Sequence, residues 1–144
     1  IFNYLLEHGA DYHIKDQFGH SLLYLAIHYR EYHLLKIIID SHFDINAKDE
    51  NGDSLLANAI RVGNKQIVNF LIDNGADIYS VNNYGESIYD LSLEYCHNNN
   101  DYNLIEHGSD INFIDIFGHS PLTCAIQKQS LPIIKILIEH GANV

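Results

Sequence analysis

The sequence predicts an all-α solenoid, built from stacked helix pairs with turns projecting to one side. Two series of glycines and one series of serines carry that expectation. Gly19, Gly52, Gly85 and Gly118 stand 33 residues apart. Gly9, Gly75, Gly108 and Gly141 form a second series on the same 33-residue grid, with His42 in its remaining slot. Ser21, Ser54, Ser87 and Ser120 each follow a first-series glycine by two positions. Self-similarity at such a fixed period marks a repeat architecture, in which no unit buries its apolar faces alone and stacking does.

The register divides the chain into a partial repeat at 1–15, full repeats at 16–48, 49–81 and 82–114, and a nearly full repeat at 115–144. No Met occurs, so the chain reads as an excerpt of a longer one. Each block opens on Asp16, Asp49, Asn82 or Asp115. An Asx side chain followed by glycine is turn chemistry, because the side chain bonds nearby amides and glycine tolerates positive φ. The serine then stands before an apolar run, as a helix N-cap does. Pro121 sits just inside the last of these helices, where proline is tolerated.

Small Ala26, Ala59, Ser92 and Ala125 recur at one position of the first helix, which suits close helix–helix approach. A second apolar run follows, with Leu34, Leu35, Ile37, Ile38 and Ile39 in one copy and Ile67, Val68, Phe70, Leu71 and Ile72 in the next. Gly75, Gly108 or Gly141 then ends it as a left-handed cap. The expected helices are 20–29 and 31–41, 53–62 and 64–74, 86–96 and 101–107, and 119–128 and 131–140. In the 42 slot, the same cap would force His42 into a strained left-handed conformation.

The blocks read D-x-F-G-H-S-P-L-T-C-A from Asp115 and F-L-I-D-N-G-A-D from Phe70. This pattern resembles the ankyrin repeat, whose motif is roughly D-x-x-G-x-T-P-L-H-x-A, then an apolar helix ending L-L-x-x-G-A-D-x-N. The resemblance covers the whole chain. Ser replaces the motif Thr, the Pro survives only as Pro121, and the motif His is Tyr24, Ala57, Asp90 or Thr123. These departures are expected to weaken local capping without threatening the fold. The resemblance implies an L-shaped stack of helix pairs with hairpin-like loops and a concave surface that binds other proteins. It also places Asn46 and Asn112 at a position hydroxylated by an oxygenase in other ankyrin proteins, with Ile38 and Leu104 eight residues before.

Composition narrows the function further. Of 144 residues, 47% are hydrophobic and the net charge is -11. A strongly acidic chain repels phosphate, which argues against a nucleic-acid partner. No apolar run approaches the ~18 residues of a membrane span. Two cysteines, Cys96 and Cys124, are too few for a disulfide scaffold or a four-ligand zinc site, and a reduced, cytoplasmic array is expected, with the nucleus open. The usage is rich in Ile, Asn, Tyr and Asp and poor in Arg. It is that of an AT-rich genome, and the array resembles those of large DNA viruses and of some AT-rich unicellular eukaryotes; a viral source would place it in host cytoplasm.

Ten histidines invite a metal reading. His28 and His33 would straddle an interhelical turn. His107 and His140 occupy equivalent places in neighbouring units, about 8–10 Å apart by helix packing, too far to share an ion at ~2 Å ligand distances. No metal, cofactor or catalytic residue is assigned. The turn Asp recurs once per repeat and serves the turn, and the serines recur as caps.

What differs between copies points to binding. In the family the second, third and fifth residues of each block project along the loops, and the residues closing the first helix share the concave face. The protein-binding candidates are therefore Phe18, His20, Tyr29, Asn51, Asp53, Arg61, Tyr84, Glu86, Glu94, Tyr95, Phe117 and His119. Aromatics recur among them where the fold does not demand them, as at binding hot spots, although loop tips also pack on one another. Block 82–114 carries Glu86, Asp90, Glu94, Asp101, Glu106 and Asp110 with no Lys or Arg, a charge of -6. Its second helix is interrupted by Asn100 and Asp101, poor helix-interior residues, so this repeat is expected to be the least stable, either as the site of a basic ligand or as a decayed repeat held in place by its neighbours. The expected function is a monomeric scaffold or adaptor array that binds a protein with a basic surface. The alternative is the substrate-targeting part of an enzyme, or of a ubiquitin-ligase adaptor, whose active region lies elsewhere.

Overall fold

A computed structural model describes residues 8, 15–17, 20–40, 43–95, 104, 110–115 and 117–144. Among them seven α-helices follow in order: α1 Leu22–His28, α2 Tyr32–Asp40, α3 Leu55–Val62, α4 Lys65–Asp73, α5 Ile88–Tyr95, α6 Pro121–Gln127 and α7 Leu131–Glu139. The expected helices 20–29, 31–41, 53–62, 64–74, 86–96, 119–128 and 131–140 each appear, shortened by a residue or two at their ends. The expected helix 101–107, His42, Cys96, His107 and Phe18 lie outside the described residues.

The serine caps form as the pattern requires. Ser21, Ser54 and Ser120 are extended at the N-cap, and their Oγ accept from the amides of Tyr24, Ala57 and Thr123. At two of the four copies the motif departure supports the cap, contrary to the expectation. Thr123 and Asp90 stand three residues after their caps and complete capping boxes. Ser120 N donates to Thr123 Oγ1 at 2.7 Å, and Ser87 N donates to Asp90 Oδ2 at 3.0 Å while Asp90 N returns to Ser87 Oγ at 3.1 Å. A short acceptor at this position satisfies an orphan amide that histidine in the motif would reach differently.

Helix ends follow the same logic. After α4, Gly75 at φ 90° lets its amide reach Ile72 O at 2.9 Å and lets Ala76 N reach Leu71 O at 2.9 Å. That is the Schellman pattern, and Gly141 repeats it after α7 with bonds to Ile138 O and, from Ala142, to Leu137 O. The first helices close in the same way, which the sequence did not suggest. Arg30, Gly63 and Gln129 all hold positive φ, at 60°, 69° and 55°. Glu31 N then bonds Ala26 O at 2.8 Å, and Ser130 N bonds Ala125 O at 3.0 Å. Two of three described copies thus place a residue with a side chain in a region costing roughly 1–2 kcal/mol relative to glycine.

First helices pack along one row, α1 on α3, α3 on α5 and α5 on α6, and each second helix packs on its own first helix where both are described. The small positions lie at these contacts: Ala26, Ala59 and Ala125 are at most 1% exposed and Ser92 is 6%. Ser92 Oγ donates to Tyr89 O at 2.8 Å, so its burial leaves no orphan donor. Leu35, Ile38, Leu56, Ile60, Ile67 and Leu71 are fully enclosed. Burying each such side chain stabilises the fold by about 1.5–3 kcal/mol. Along the second row, Tyr32 and Phe70 meet edge to face at 4.9 Å between ring centroids.

Candidate functional site

The turns between repeats make the first part of the surface. Asp49 Oδ1 accepts from the amides of Asn51 and Asp53, Asn82 Oδ1 from Tyr84 and Glu86, and Asp115 Oδ1 from Phe117 and His119, all at 2.8–3.0 Å. Single antiparallel bridges, Lys15 to Ser21, Lys48 to Ser54 and Val81 to Ser87, close the hairpins. Successive tips are bonded to each other. Asn83 N donates to Asn51 O at 3.0 Å, Lys48 Nζ donates to Val81 O at 2.8 Å, and Lys15 pairs with Glu50. That pairing holds the Glu50 carboxyl below its ordinary range, first through the hydrogen bond and then through the lysine charge.

The tip aromatics do two things at once. Tyr84 donates its hydroxyl to Asn51 Oδ1 of the preceding tip at 3.3 Å. Phe117 lies on Gly85 so closely that a Cβ there would sit 2.5 Å from its ring. Both nevertheless show a broad face to solvent, 73% for Tyr84 and 59% for Phe117, as does Tyr29 at 70%. His119 sits beside Phe117, ring centroids 6.3 Å apart, with Nδ1 3.4 Å from Asp115 Oδ2.

Four sequence candidates converge on one another. Arg61, near the end of α3, places Nη2 2.7 Å from Glu86 Oε2 and 3.5 Å from Asp53 Oδ1. Its Nη1 donates to Tyr95 Oη at 3.3 Å, and its guanidinium carbon lies 5.5 Å from the Tyr95 ring centroid. Asn82 Nδ2 donates to Asp53 Oδ1 at 2.9 Å and to Glu86 Oε2 at 2.8 Å. Burial works against the Arg61 charge, but the bonds to Glu86 and Tyr95 and the two carboxylates outweigh it, so its pKa is raised. The Asn82 bond and then the Arg61 bond hold the Glu86 carboxyl below its ordinary range. Glu86, expected to meet a basic partner, is engaged by Arg61 across the repeat boundary while 36% of its side chain stays exposed. The side chain of Glu94 lies outside the described set.

Sequence reasoning missed Asn82, which it treated as a turn residue only, and it missed Tyr24. On α1 and its approach, His20 and Tyr24 stack at 4.5 Å with planes 9° apart, and Tyr24 and His28 follow at 5.9 Å and 11°. Tyr29 closes the series edge-on to His28 at 5.3 Å. The four-residue spacing of 20, 24 and 28 was the available signal, since such residues share one helix face. Beside this ladder, between the first two hairpins, opens a groove of about 620 Å³.

The remaining candidates have structural ties. Asn46 Oδ1 accepts from Asp77 N at 2.7 Å and its Nδ2 donates to Gly75 O at 3.4 Å. Asn112 makes the same pair of bonds to Asn143 N and Gly141 O. Both carboxamides therefore staple a loop to the next repeat. Tyr79 takes that role in the copy between, its hydroxyl accepting from Asp110 N at 2.7 Å. Cys124 is free and buried, and burial, followed by the charge of Asp90, pushes its thiol up to about 12. Among the described residues no group of three or more His, Cys, Asp or Glu has the arrangement of a metal site, and no helix is long and apolar enough to cross a membrane.

Stacked helix pairs with bonded tips and a continuous first-helix row define a helical-repeat solenoid that presents an open face. A family model described as ankyrin repeats in three copies matches residues 1–82, and a model of the single ankyrin repeat matches 117–144. The chain belongs to the ankyrin-repeat family. Ankyrin repeats are generally protein–protein interaction modules. Neither match covers 83–116, the span that contains most of the acidic repeat. No curated protein matches the chain.

Proposed function

We propose that this array binds a protein partner on the surface formed by its hairpin tips and first helices, and that the partner meets it with a basic surface. The exposure of Tyr29, Tyr84 and Phe117 on that side carries the reading. Aromatic side chains offer large contact area at small entropic cost and dominate interface energetics. His20, Asn51, Asp53 and His119 supply polar groups around them, and the net charge of -11 attracts a basic partner and speeds encounter. Arg61, Glu86 and Tyr95 contribute as a preformed shape, and Glu94 supplies charge on the same helix. The cytoplasm, where the Cys124 thiol stays reduced, is the compartment this reading assigns.

The test is capture of a partner from cell extract by the wild-type chain, then by Tyr84→Ala and Phe117→Ala. Each truncation is expected to weaken binding by about 1–2 kcal/mol or more. Substituting Lys36 or Lys135, exposed on second helices, is expected to leave capture unchanged. Loss of capture on changing those lysines, with none on changing the aromatics, places the surface elsewhere.

A further inference from the structure

The last repeat closes the stack on an apolar face. Four of the five large aliphatic side chains exposed among the described residues belong to it: Ile126 on α6, Leu131 and Ile138 on α7, and Val144 beyond. Each stands where earlier repeats set a side chain against the following unit. Ile27 and Ile60, the counterparts of Ile126, are 0% and 2% exposed, whereas Ile126 is 54% exposed. Tyr32, the counterpart of Leu131, meets Phe70 of the next repeat at 4.9 Å between ring centroids, whereas Leu131 is 68% exposed. Ile39 and Ile72, at the Ile138 position, and Ile45 and Ile78, at the Val144 position, pack against the core. Ile111, also at the Val144 position, packs against the core of the last repeat. The exposed face therefore continues the interface that joins the inner repeats. Leu131, Ile134 and Ile138, three and four residues apart, share one stripe along α7.

Charge sets this end apart from the rest of the chain. Residues 115–144 hold Asp115, Glu139, Lys128 and Lys135, a charge of zero, while the whole chain carries -11. A basic partner gains little attraction here. Two copies of the acidic chain, which repel one another through their other repeats, meet here without net opposition. We infer that this face receives the same face of a second copy, α7 against α7 about a two-fold axis, so that the chain forms a dimer end to end. A patch that pairs with itself about a two-fold axis is the commonest oligomeric contact, and burial of the exposed aliphatic side chains drives it. The patch is smaller than the about 20–30 residues a side of a standard interface, so the dimer is weak and reversible. Tyr84 and Phe117 lean the other way, toward Asn51 and Gly85 of the preceding tips, and stay uncovered. The dimer thus offers the protein partner two copies of the surface proposed above, and a paired partner binds with avidity. The contact lies on a different surface and stands or falls separately from that proposal.

The experiment is sedimentation equilibrium of the 144-residue chain over a wide range of concentration. The apparent mass is expected to rise from 16.4 kDa to twice that value and stop, with a dissociation constant on the order of 100 μM. Ile126→Lys and Leu131→Lys each set a charge in the contact and are expected to weaken dimerisation at least about tenfold. Both side chains are exposed, and Lys65 already stands at the Leu131 position of an inner repeat, so the dilute variants should keep the wild-type helix content by circular dichroism. Tyr84→Ala should leave dimerisation unchanged while it weakens partner capture, which separates failure of this contact from failure of the binding surface. A constant 16.4 kDa at every concentration overturns the proposal and leaves the face to a further repeat unit or to another protein. Growth beyond twice the monomer mass means head-to-tail stacking and overturns the two-fold contact. A dimer that survives both lysine variants lies on another surface, which overturns it equally.

Discussion

Arg61 and Glu86 are joined across a repeat boundary, Nη2 to Oε2 at 2.7 Å, although 25 residues of chain separate them. The pair is part of a five-residue network with Asp53, Asn82 and Tyr95. It couples a hairpin tip to the ends of α3 and α5, and so fixes how two units sit on each other. Arg61 Nε is buried with no partner among the described residues. The network thus includes one desolvated donor whose cost the other bonds offset.

Arg61→Ala is expected to lower stability by roughly 1 kcal/mol, because the carboxylates it pairs are half-screened by solvent or keep Asn82 as a donor. The pH dependence follows from Glu86, whose folded pKa lies below its ordinary value of 4.5. Its contribution is complete above pH 4.5 and is lost as pH falls through the lower folded value. Arg61→Ala and Asn82→Ala should each shrink the loss of stability below pH 4.5, since the Asn82 bond and then the Arg61 bond and charge hold the carboxyl low. Urea titrations at neutral pH and at pH 3.5 check both; parallel curves for all three proteins would contradict the role given to Glu86.

Arg30→Gly and Gln129→Gly should each stabilise the array. The left-handed conformation at φ 60° and 55° disfavours a side chain, and glycine removes that cost while adding some unfolded-state entropy. A net gain of about 0.5–1 kcal/mol is expected. Gly63→Ala tests the same geometry in reverse, since a Cβ there meets nothing within 4 Å. It should destabilise by about 1 kcal/mol through backbone conformation alone. Thermal melts of the three variants decide the matter.

Gly85→Ala and Gly118→Ala place a methyl group at the same turn position, with φ 81° and 83°. Only the first meets a neighbour, the Phe117 ring at 2.5 Å. Gly85→Ala should therefore cost more than Gly118→Ala, and adding Phe117→Ala should recover the difference. A double-mutant cycle is expected to show a coupling of about 1 kcal/mol. Zero coupling would mean that the tips do not rest on one another.

Cys124 should resist alkylation in the native state at pH 8. The thiol is buried and its pKa is pushed up to about 12, so little thiolate forms to attack the reagent. Iodoacetamide labelling located by peptide mapping should be slow until denaturant is added. Fast native labelling of Cys124 would show that α6 opens readily.

Ile60 and Ile126 hold the same repeat position but are 2% and 54% exposed. Sequence alone assigns them one role. Ile60→Ala should cost about 2–4 kcal/mol by leaving a cavity between α3 and its neighbours, whereas Ile126→Ala should cost under about 1 kcal/mol. Chemical denaturation distinguishes the two.

The amino-acid sequence by itself determined the period, the helix pairs, the serine caps and the glycine ends after the second helices. Each rests on residues within one turn or one helix, where spacing and backbone preference suffice. Capping by Asp90 and Thr123 was equally local, but comparison with a family motif led it to be read as weakness. Contacts across repeat boundaries were decided only by the tertiary structure. Glu86 pairs with Arg61 across a boundary, Asn46 and Asn112 staple loops to the next repeat, and His28 stacks on Tyr24 where its counterpart Arg61 reaches a carboxylate. Such outcomes depend on which side chains the stacking brings within hydrogen-bond reach. The left-handed turns at Arg30 and Gln129 belong here too, because the angle between paired helices demands positive φ whichever residue stands there.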